Sequence, residues 1–241
     1  MGSIYMRFPG GKSKALTLSY DDGLNQDIRL IEIMKKHGLK GTFNINSGMY
    51  ALDGVGSPDG KNRMTLKRCQ DVYLNSGMEV AMHGLTHSYL EQLPKNLCTY
   101  EVLEDRRNLE RDFGCMVRGM AYPFGTTSDS VVDSLKQCGI AYSRTTVSTE
   151  KFTIPTDWLR LPATCHHKNP RLMELARNFV DNAFQSGPGL FYLWGHSSEF
   201  DYDLPDNNWG IIEKFAEFMG GREDIWYVQM VTMHKEFYTQ L

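Results

Sequence analysis

Carboxylates and imidazoles occur in two short runs of this sequence at spacings that suit a metal site. Asp21 and Asp22 are adjacent and follow an apolar run, and His83 and His87 are four residues apart. The histidine spacing predicts two imidazoles on one face of a helical turn, close enough to share an ion. Zinc accepts neutral imidazole nitrogen and carboxylate oxygen as ligands. Each run also has a plainer interpretation, because Asp-Asp-Gly is typical of a turn and an isolated H-x-x-x-H of loop histidines.

Two further segments contain residues that could take part in chemistry. His196 ends the apolar run 190–194, a position where a single histidine is more often structural than catalytic. Tyr122 and Phe124 lie in an aromatic-proline-aromatic-glycine turn over residues 120–125. By itself this turn carries no functional signal.

Short apolar runs alternate with amphipathic stretches, which is typical of parallel βαβ units. The pattern predicts strands at 15–20, 41–45 and 79–82, helices at 27–37, 65–75, 95–113 and 128–138, and further apolar runs at 119–123, 140–145, 158–161, 189–194 and 225–228. The pattern fits both a barrel and an open doubly wound sheet. The candidate residues fall where strands end, the place at which barrel enzymes carry their chemistry. One domain is predicted over residues 1–241, with an irregular loop at 48–62.

Composition excludes several classes of protein. The chain has 241 residues, of which 41% are hydrophobic and 23% charged, and a net charge of −3, which gives no long-range attraction to nucleic acid. A run of about 18 apolar residues, as a membrane span requires, does not occur. The five cysteines lack C-x-x-C spacing, which argues against a disulfide framework. With no apolar leader in residues 1–11, a cytoplasmic location is expected; a secreted or cell-envelope location is the alternative if a leader was removed.

Taken together, four motifs in order resemble the polysaccharide deacetylase family, the NodB-homology group known as carbohydrate esterase family 4. They are S-Y-D-D-G at 19–23, H-G-L-T-H at 83–87, M-A-Y-P-F-G at 120–125 and L-F-Y-L-W-G-H at 190–196. The resemblance extends over roughly residues 12–230. It implies a distorted, TIM-like (β/α) barrel of about seven parallel strands.

The resemblance also implies roles for individual residues. Asp21 corresponds to the family's general base and His196 to its catalytic acid. Asp22, His83 and His87 correspond to the ligands of a divalent metal, with Zn²⁺ preferred and Co²⁺ or Ni²⁺ as alternatives. The third motif contributes Tyr122 and Phe124 to the substrate and oxyanion site, the latter through its backbone N–H.

This chain departs from the family pattern at the arginine that orients the catalytic base. Ala121 stands in the position of that arginine. Arg144 and Arg160 are the candidates to supply the guanidinium from another strand. In the second motif, Gly84 stands where Ser or Thr is usual.

The acidic partner of His196 is also not at an obvious position. Asp157 and Glu199 are the two candidates, the first 39 residues before His196 and the second three residues after it. The run Cys165-His166-His167 has no counterpart in the family motifs. Packing or solvated histidines are the expected interpretation, and the alternative is that His166 lines the substrate groove.

The leading functional prediction is removal of N-acetyl groups from an amino sugar or glycan. The alternatives are hydrolysis of a small-molecule C–N bond, such as that of an allantoin-like cyclic amide, and an inactive carbohydrate-binding relative. The predicted partners are thus an N-acetylated sugar or a small amide, and the oligomeric state stays open. Phe200 and Trp209 are the candidates for an exposed aromatic platform, whereas the aromatic residues within strand patterns are expected to pack in the core.

Overall fold

Parallel strands and helices alternate along the chain, as the apolar runs predict. The computed structural model describes residues 6–185 and 187–239. The prediction about an N-terminal leader therefore falls partly outside the described residues. The strands of the described part are β1 Lys14–Asp21, β2 Gly41–Ile45, β3 Glu79–Met82, β4 Gly119–Ala121, β5 Tyr142–Ser148, β6 Leu161–Ala163, β7 Cys165–His166, β8 Gly189–Gly195 and β9 Ile225–Tyr227. The helices are α1 Asp27–Lys36, α2 Leu66–Tyr73, α3 Lys95–Phe113, α4 Asp129–Gln137, α5 Leu172–Asp181, α6 Trp209–Met219 and α7 Met230–Thr239.

The strands form one parallel sheet in the order β6-β5-β4-β3-β2-β1-β8-β7. Its two end strands are consecutive in the chain, separated by Thr164 alone, whose N–H donates to the carbonyl of Tyr192 at 2.8 Å. The segment that pairs with β5 through β6 therefore passes directly to β8 through β7, and the sheet curls into a nearly closed barrel. Since β6 and β7 are two pieces of one run, about seven positions surround the barrel. The predicted distorted (β/α) barrel is confirmed, and the open sheet is excluded.

Burial explains why β1 lies at the centre of this arrangement. All of its residues are buried, as expected for a parallel strand covered on both faces. Its first half pairs with β9 and its second half with β2, while β8 runs along its other edge. The inner face of α1 packs Leu30, Ile31 and Met34 into the core at helical spacing.

Among the described helices, none has the length and apolar character needed to cross a membrane.

Candidate active site

Four predicted site residues meet at the carboxyl-terminal end of the barrel. Asp21 ends β1, His83 follows β3 and His196 follows β8. Asp22 has a φ of 84°, so the chain turns sharply directly after Asp21. Both carboxylates therefore face one space, and His83 Nε2 lies 4.0 Å from Asp21 Oδ2 and 4.0 Å from Asp22 Oδ1.

Asp22, His83 and His87 form a three-residue donor set. Asp22 Oδ1 lies 3.7 Å from His87 Nε2, and one ligand atom from each residue falls within 4.8 Å of the others. His83 Nδ1 lies 2.8 Å from the carbonyl oxygen of Ala121, which can only accept, so Nδ1 carries the proton and Nε2 offers a lone pair. Burial lowers the pKa of both imidazoles, that of His87 to about 4 with the help of neighbouring His83. Two neutral nitrogens and one carboxylate fit a divalent ion of the zinc type.

The turn that carries His83 and His87 is not helical. The two imidazole rings lie close together as predicted, but the helical spacing on which that prediction was based is wrong. Gly84 has a φ of 76° and His87 a φ of 58°, and this backbone brings the two rings to 4.8 Å. Glu101 on α3 fixes the turn by accepting from Thr86 N at 2.9 Å and from Thr86 Oγ1 at 2.7 Å. A Cβ at Gly84 would lie 3.1 Å from Pro123 Cγ. The left-handed backbone and the nearby Pro123 ring therefore explain why glycine stands at position 84, where the family usually has Ser or Thr.

Two cations that the sequence analysis missed surround Asp22. Lys61 Nζ donates to Asp22 Oδ2 at 2.6 Å, and Arg63 Nη2 donates to Asp22 Oδ1 at 3.0 Å. Arg63 also donates to Asn46 Oδ1 at 2.9 Å, and Asn46 Nδ2 donates to the carbonyl of His83. Burial alone would raise the pKa of Asp22, but His83, Arg63 and Lys61 hold it well below its usual range. Only the position of Lys61 in the 48–62 loop hinted at a place on the rim.

Arg144 contacts Asp21, the residue that the family's third-motif arginine is expected to orient. It lies on β5 directly opposite Ala121 on β4. Its Nη2 donates to Asp21 Oδ1 at 2.6 Å and to Oδ2 at 2.5 Å, and Asn44 Nδ2 donates to Oδ1 at 2.8 Å. Burial alone would raise the pKa of Asp21, but Arg144, with His83 and His196 nearby, lowers it. Asp21 is therefore ionised and held in a fixed orientation.

His196 lies between Asp21 and Glu199. Its Nε2 is 3.9 Å from Asp21 Oδ2, and its Nδ1 is 3.4 Å from Glu199 Oε1. Burial alone would lower the pKa of His196, but the contact with Glu199 and the charges of Asp21 and Asp22 raise it. The protonated imidazole is therefore favoured.

The other two candidate supporting residues, Asp157 and Arg160, do not join the site. Arg160 pairs with Asp157 at 3.3 Å and with Asp129 at 2.5 Å, in a partly exposed cluster beside α4. The carboxylate of Asp157 does not face His196 but caps its own turn, accepting from Leu159 N at 3.0 Å. Local pairing therefore accounts for both residues.

The third motif supplies one buried and one exposed aromatic ring. Tyr122 is buried, and its hydroxyl donates to the carbonyl of Leu159 at 2.7 Å, so its side chain belongs to the core. Phe124 has a φ of 59° and is 44% exposed. Its ring stacks on Tyr89 at 3.7 Å with an interplanar angle of 6°, and meets the edge of His87 at 4.6 Å. An aromatic surface thus borders the donor set.

The predicted exposed platform at Phe200 and Trp209 is wrong for the first residue. Phe200 is 2% exposed and packs against Tyr20 and His167. Trp209 is half-buried and donates to Asp201 at 2.8 Å. These rings hold the segment after His196 against the barrel.

A buried carboxylate joins the loops that follow β1 and β8. Asp27 accepts from Leu24 N at 3.1 Å, from Tyr73 Oη at 2.5 Å and from Ser197 Oγ at 2.5 Å. Burial raises the pKa of Asp27 to about 7. Because Ser197 directly follows His196, this hydrogen-bond cluster fixes both sides of the site relative to each other.

The open space beside these groups is a cavity of about 320 Å³. It is lined by Asp22, Leu24, Lys61, Asn62, His196, Ser198, Glu199 and Tyr202. A small polar group therefore has access to the side chains of Asp22 and His196, which both line the cavity.

Known proteins resemble this chain in sequence family and in fold. The family model described as polysaccharide deacetylase matches residues 9–143. No curated protein matches the sequence. A Streptococcus pyogenes deacetylase solved with acetate is 23% identical over 60% of this chain and 61% of its own, less than two thirds of its length, with a TM-score of 0.52.

Two other solved structures cover almost the whole barrel. A candidate polysaccharide deacetylase from Mycobacterium smegmatis is 14% identical, covers 100% of this chain and 95% of its own, and has a TM-score of 0.66. A family 4 carbohydrate esterase from Streptomyces lividans, solved with acetate, is 16% identical over 89% of this chain and 91% of its own, with a TM-score of 0.55.

The same fold also occurs without activity. A pseudoenzyme of the same esterase family from Bacillus anthracis is 17% identical over 96% of this chain and 68% of its own, with a TM-score of 0.56. The fold alone therefore does not decide whether a chain is active, and activity depends on the residues at the strand ends.

Proposed function

Because this chain belongs to the polysaccharide deacetylase family, we propose that it is a metal-dependent hydrolase that removes N-acetyl groups from an amino sugar or polysaccharide. One observation carries the proposal. The Asp22–His83–His87 donor set, the ionised Asp21 and the protonated His196 all face one space, with Asp21 Oδ2 within 4.0 Å of both His83 and His196.

Asp22, His83 and His87 would hold the divalent ion, for which Zn²⁺ is the preferred choice and Co²⁺ or Ni²⁺ are the alternatives. The chemistry that such an ion supplies is Lewis acidity toward the amide carbonyl and the attacking water. The protein supplies neutral imidazole nitrogens, because burial and the Ala121 carbonyl fix the protonation of His83. It also supplies a carboxylate that stays ionised.

Asp21 is the group suited to take the proton of the attacking water. Its two oxygens are held by Arg144, which keeps it ionised and prevents rotation. A general base must lie within reach of the water and be ionised at the working pH, and the Arg144 clamp favours both conditions. The residue opposite Arg144 on β4 is Ala121, so the third motif places no second guanidinium beside Asp21.

His196 is the group suited to give a proton to the departing amine. With Glu199 beside Nδ1, the second proton of the imidazolium lies on Nε2, the nitrogen 3.9 Å from Asp21. As the C–N bond breaks, that proton passes to the amine nitrogen. The family resemblance assigns the oxyanion-stabilising N–H to Phe124.

The surface beside the donor set favours a sugar over a small cyclic amide. The stacked rings of Tyr89 and Phe124 are 41% and 44% exposed, and Phe124 lies against His87. Exposed aromatic rings stack on the apolar faces of pyranose rings, whereas a small amide would leave them unused. The presence of the three-residue donor set together with Asp21 and His196 also argues against an inactive binding protein.

The proposal is tested by measuring bound metal in the purified protein and acetate release from N-acetylglucosamine oligomers, peptidoglycan and small cyclic amides. We expect about one ion per chain and acetate release from at least one glycan. Asp21→Asn should lower turnover by about 10²-fold or more while the ion stays bound, and His83→Ala should lose both.

Asp133→Asn, a change at an exposed aspartate on α4, is the matched control and should leave turnover and metal content unchanged. Near-normal turnover of Asp21→Asn would remove Asp21 as the base. Turnover confined to a small cyclic amide would instead establish the alternative substrate class.

A further inference from the structure

Three imidazoles surround the Glu199 carboxylate, and two of them, His166 and His167, have no role in the mechanism proposed so far. Glu199 Oε2 lies 3.0 Å from His167 Nε2 and 3.2 Å from His166 Nε2, and Oε1 lies 3.4 Å from His196 Nδ1. Lys168 Nζ is 4.0 Å from Oε1. The run Cys165-His166-His167 thus converges on the partner of the proposed catalytic acid.

Strand pairing explains this convergence. His166 on β7 is registered with Trp194 on β8, and His167 N donates to the carbonyl of Trp194 at 2.9 Å. The chain then turns, and the two imidazole rings lie 4.4 Å apart. Because β8 continues to His196 and Glu199 follows within one turn, the histidine pair and the carboxylate face each other.

The tautomer of His166 makes it a donor toward Glu199. Its Nδ1 accepts from Lys168 N at 3.2 Å, so the proton of the neutral ring lies on Nε2, which faces the carboxylate. This tautomer also argues against a second metal at the cluster, since an ion would need the Nε2 lone pair. Burial lowers the pKa of His166 to about 2, which keeps the ring neutral.

The His167 ring is buried, with the Glu199 carboxylate beside its Nε2. It is 1% exposed and lies between Tyr20 and Phe200, with ring centroids 5.6 and 4.2 Å away. Its Nδ1 faces Gly195, where a Cβ would lie only 2.1 Å away. Glu199 Oε2 and His167 Nε2 lie 3.0 Å apart, and in the described part of the chain neither of these buried atoms has a hydrogen-bond partner of good geometry, so each is available to the other. Burial lowers the pKa of His167, so this ring too is a neutral donor.

We propose that His166 and His167 are positioning residues: as neutral donors they hold Glu199 ionised and in contact with His196, so that His196 keeps its transferable proton on Nε2. The inference rests on the proposed function. In a partly buried acid–base pair, the neutral form, with the proton on the carboxylate, competes with the ion pair. Two N–H groups beside Oε2, at 3.0 and 3.2 Å, would lower the proton affinity of the carboxylate and favour the ion pair. The pair therefore extends the working range of the acid toward higher pH.

Other charged groups around the pair come from several elements. His196 faces Asp21 and Asp22 at the end of β1, and Lys61 lines the same cavity. Glu199 faces Lys168 in addition to the three imidazoles. These groups are unchanged in the variants below, so their contributions to the pH profile stay constant.

The test compares His167→Phe, which keeps an aromatic ring but removes the donor, with His167→Gln, whose amide can still donate. The readouts are the pH profile of acetate release and the pKa of His196 measured by NMR. We expect the alkaline limb and the His196 pKa to fall by about half a unit to one unit in His167→Phe and to return toward the wild-type value in His167→Gln. At pH values below the alkaline limb, the rate of acetate release should stay near that of the wild-type protein.

His166→Leu provides a second variant at a less buried position and should move both readouts in the same direction. His37→Gln, a change at the end of α1, is the control and should move neither. Because the NMR titration needs no turnover, it tests the arrangement even if the proposed deacetylase activity is absent.

Three outcomes would overturn the proposal. One is an unchanged His196 pKa in both donor-free variants. Another is an equal shift in His167→Phe and His167→Gln, which would indicate a packing effect. The third is a second bound ion in the wild type that is lost in His166→Leu, which would make the cluster a metal site.

Discussion

At the scale of single residues, Asp21 and Asp22 have different partners, and the different roles proposed for them follow from those partners. Asp21 is clamped by Arg144 through both oxygens, whereas Asp22 faces His83 and His87 with one oxygen and Lys61 with the other. Adjacent carboxylates in different environments commonly divide chemical roles in this way. The sequence predicted both residues but could not show which cations would neutralise them, because Lys61 and Arg63 lie in an irregular loop without periodicity.

The Arg144 clamp predicts the acidic limb of the pH profile. In Arg144→Gln the burial of Asp21 is no longer offset, so its pKa should rise and the acidic limb should move to higher pH, because the base works only when ionised. Leaving the carboxylate without its buried partner should also cost about 3–5 kcal/mol of stability. The pH dependence of kcat/KM and thermal unfolding measure the two effects.

Arg160→Gln is the matched control for that experiment, because Arg160 pairs with Asp129 and Asp157 outside the site. Its pH profile should equal that of the wild type. An acidic limb that stays in place in Arg144→Gln would mean that Arg144 does not set the ionisation of Asp21.

The Glu199 carboxylate predicts the alkaline limb. Glu199→Gln removes the charge that raises the pKa of His196, so the imidazole should lose its proton at lower pH and the alkaline limb should move down. The acidic limb should stay in place, since Asp21 keeps Arg144. Activity profiles of both proteins between about pH 5 and 10 make the comparison, and a limb that moves upward would contradict the assigned role of Glu199.

At the scale of elements, the turn between β3 and the following helix decides whether the two histidines meet. Gly84 combines a φ of 76° with a Cβ position 3.1 Å from Pro123 Cγ, while Gly54 has a φ of 73° and open space around it. Gly84→Ser restores the family's usual residue but should destabilise the fold by about 1–3 kcal/mol and weaken metal binding.

Gly54→Ser separates the two causes, because it introduces the left-handed strain without the contact and lies far from the metal ligands in the chain. It should leave the metal affinity unchanged. Competition with a chelator and thermal unfolding measure the two quantities. Equal metal affinities in Gly84→Ser and the wild type would show that the turn tolerates a side chain.

The regular elements were predictable to different degrees, for physical reasons. β2, β3 and α3 were predicted with the observed bounds, because apolar runs flanked by glycine and a long amphipathic pattern are strong signals. β6 and β7 were missed, since strands of 3 and 2 residues have no detectable periodicity. The contact of Arg144 with Asp21 depends on the pairing of β4 with β5, which one sequence does not reveal.

At the scale of the whole molecule, Asp27 links the stability of the fold to pH. Its pKa is raised to about 7 in the folded protein, above its ordinary value of 3.8, so the folded state binds the proton more tightly. The stabilising contribution is therefore fully present below about pH 4 and is lost as pH rises through about 7. A shift of this size corresponds to a few kcal/mol at most.

Asp27→Asn should remove this dependence, because a neutral amide can accept from Tyr73 and Leu24 and donate to Ser197. Relative to the wild type, the variant should gain stability as pH rises from about 4 to 8. Unfolding temperatures of both proteins across this range give the difference. A constant difference would show that Asp27 has the same pKa in the folded and unfolded chains.

The register of Ala121 beside Arg144 has a consequence for how such enzymes are recognised. The role proposed for Asp21 requires a guanidinium at its carboxylate, and here Arg144 on β5 provides it while Ala121 stands beside it on β4. A search for the arginine at its usual place along the chain would therefore miss it. The paired exchange Ala121→Arg with Arg144→Ala asks the converse question, whether the charge can be delivered from the other strand.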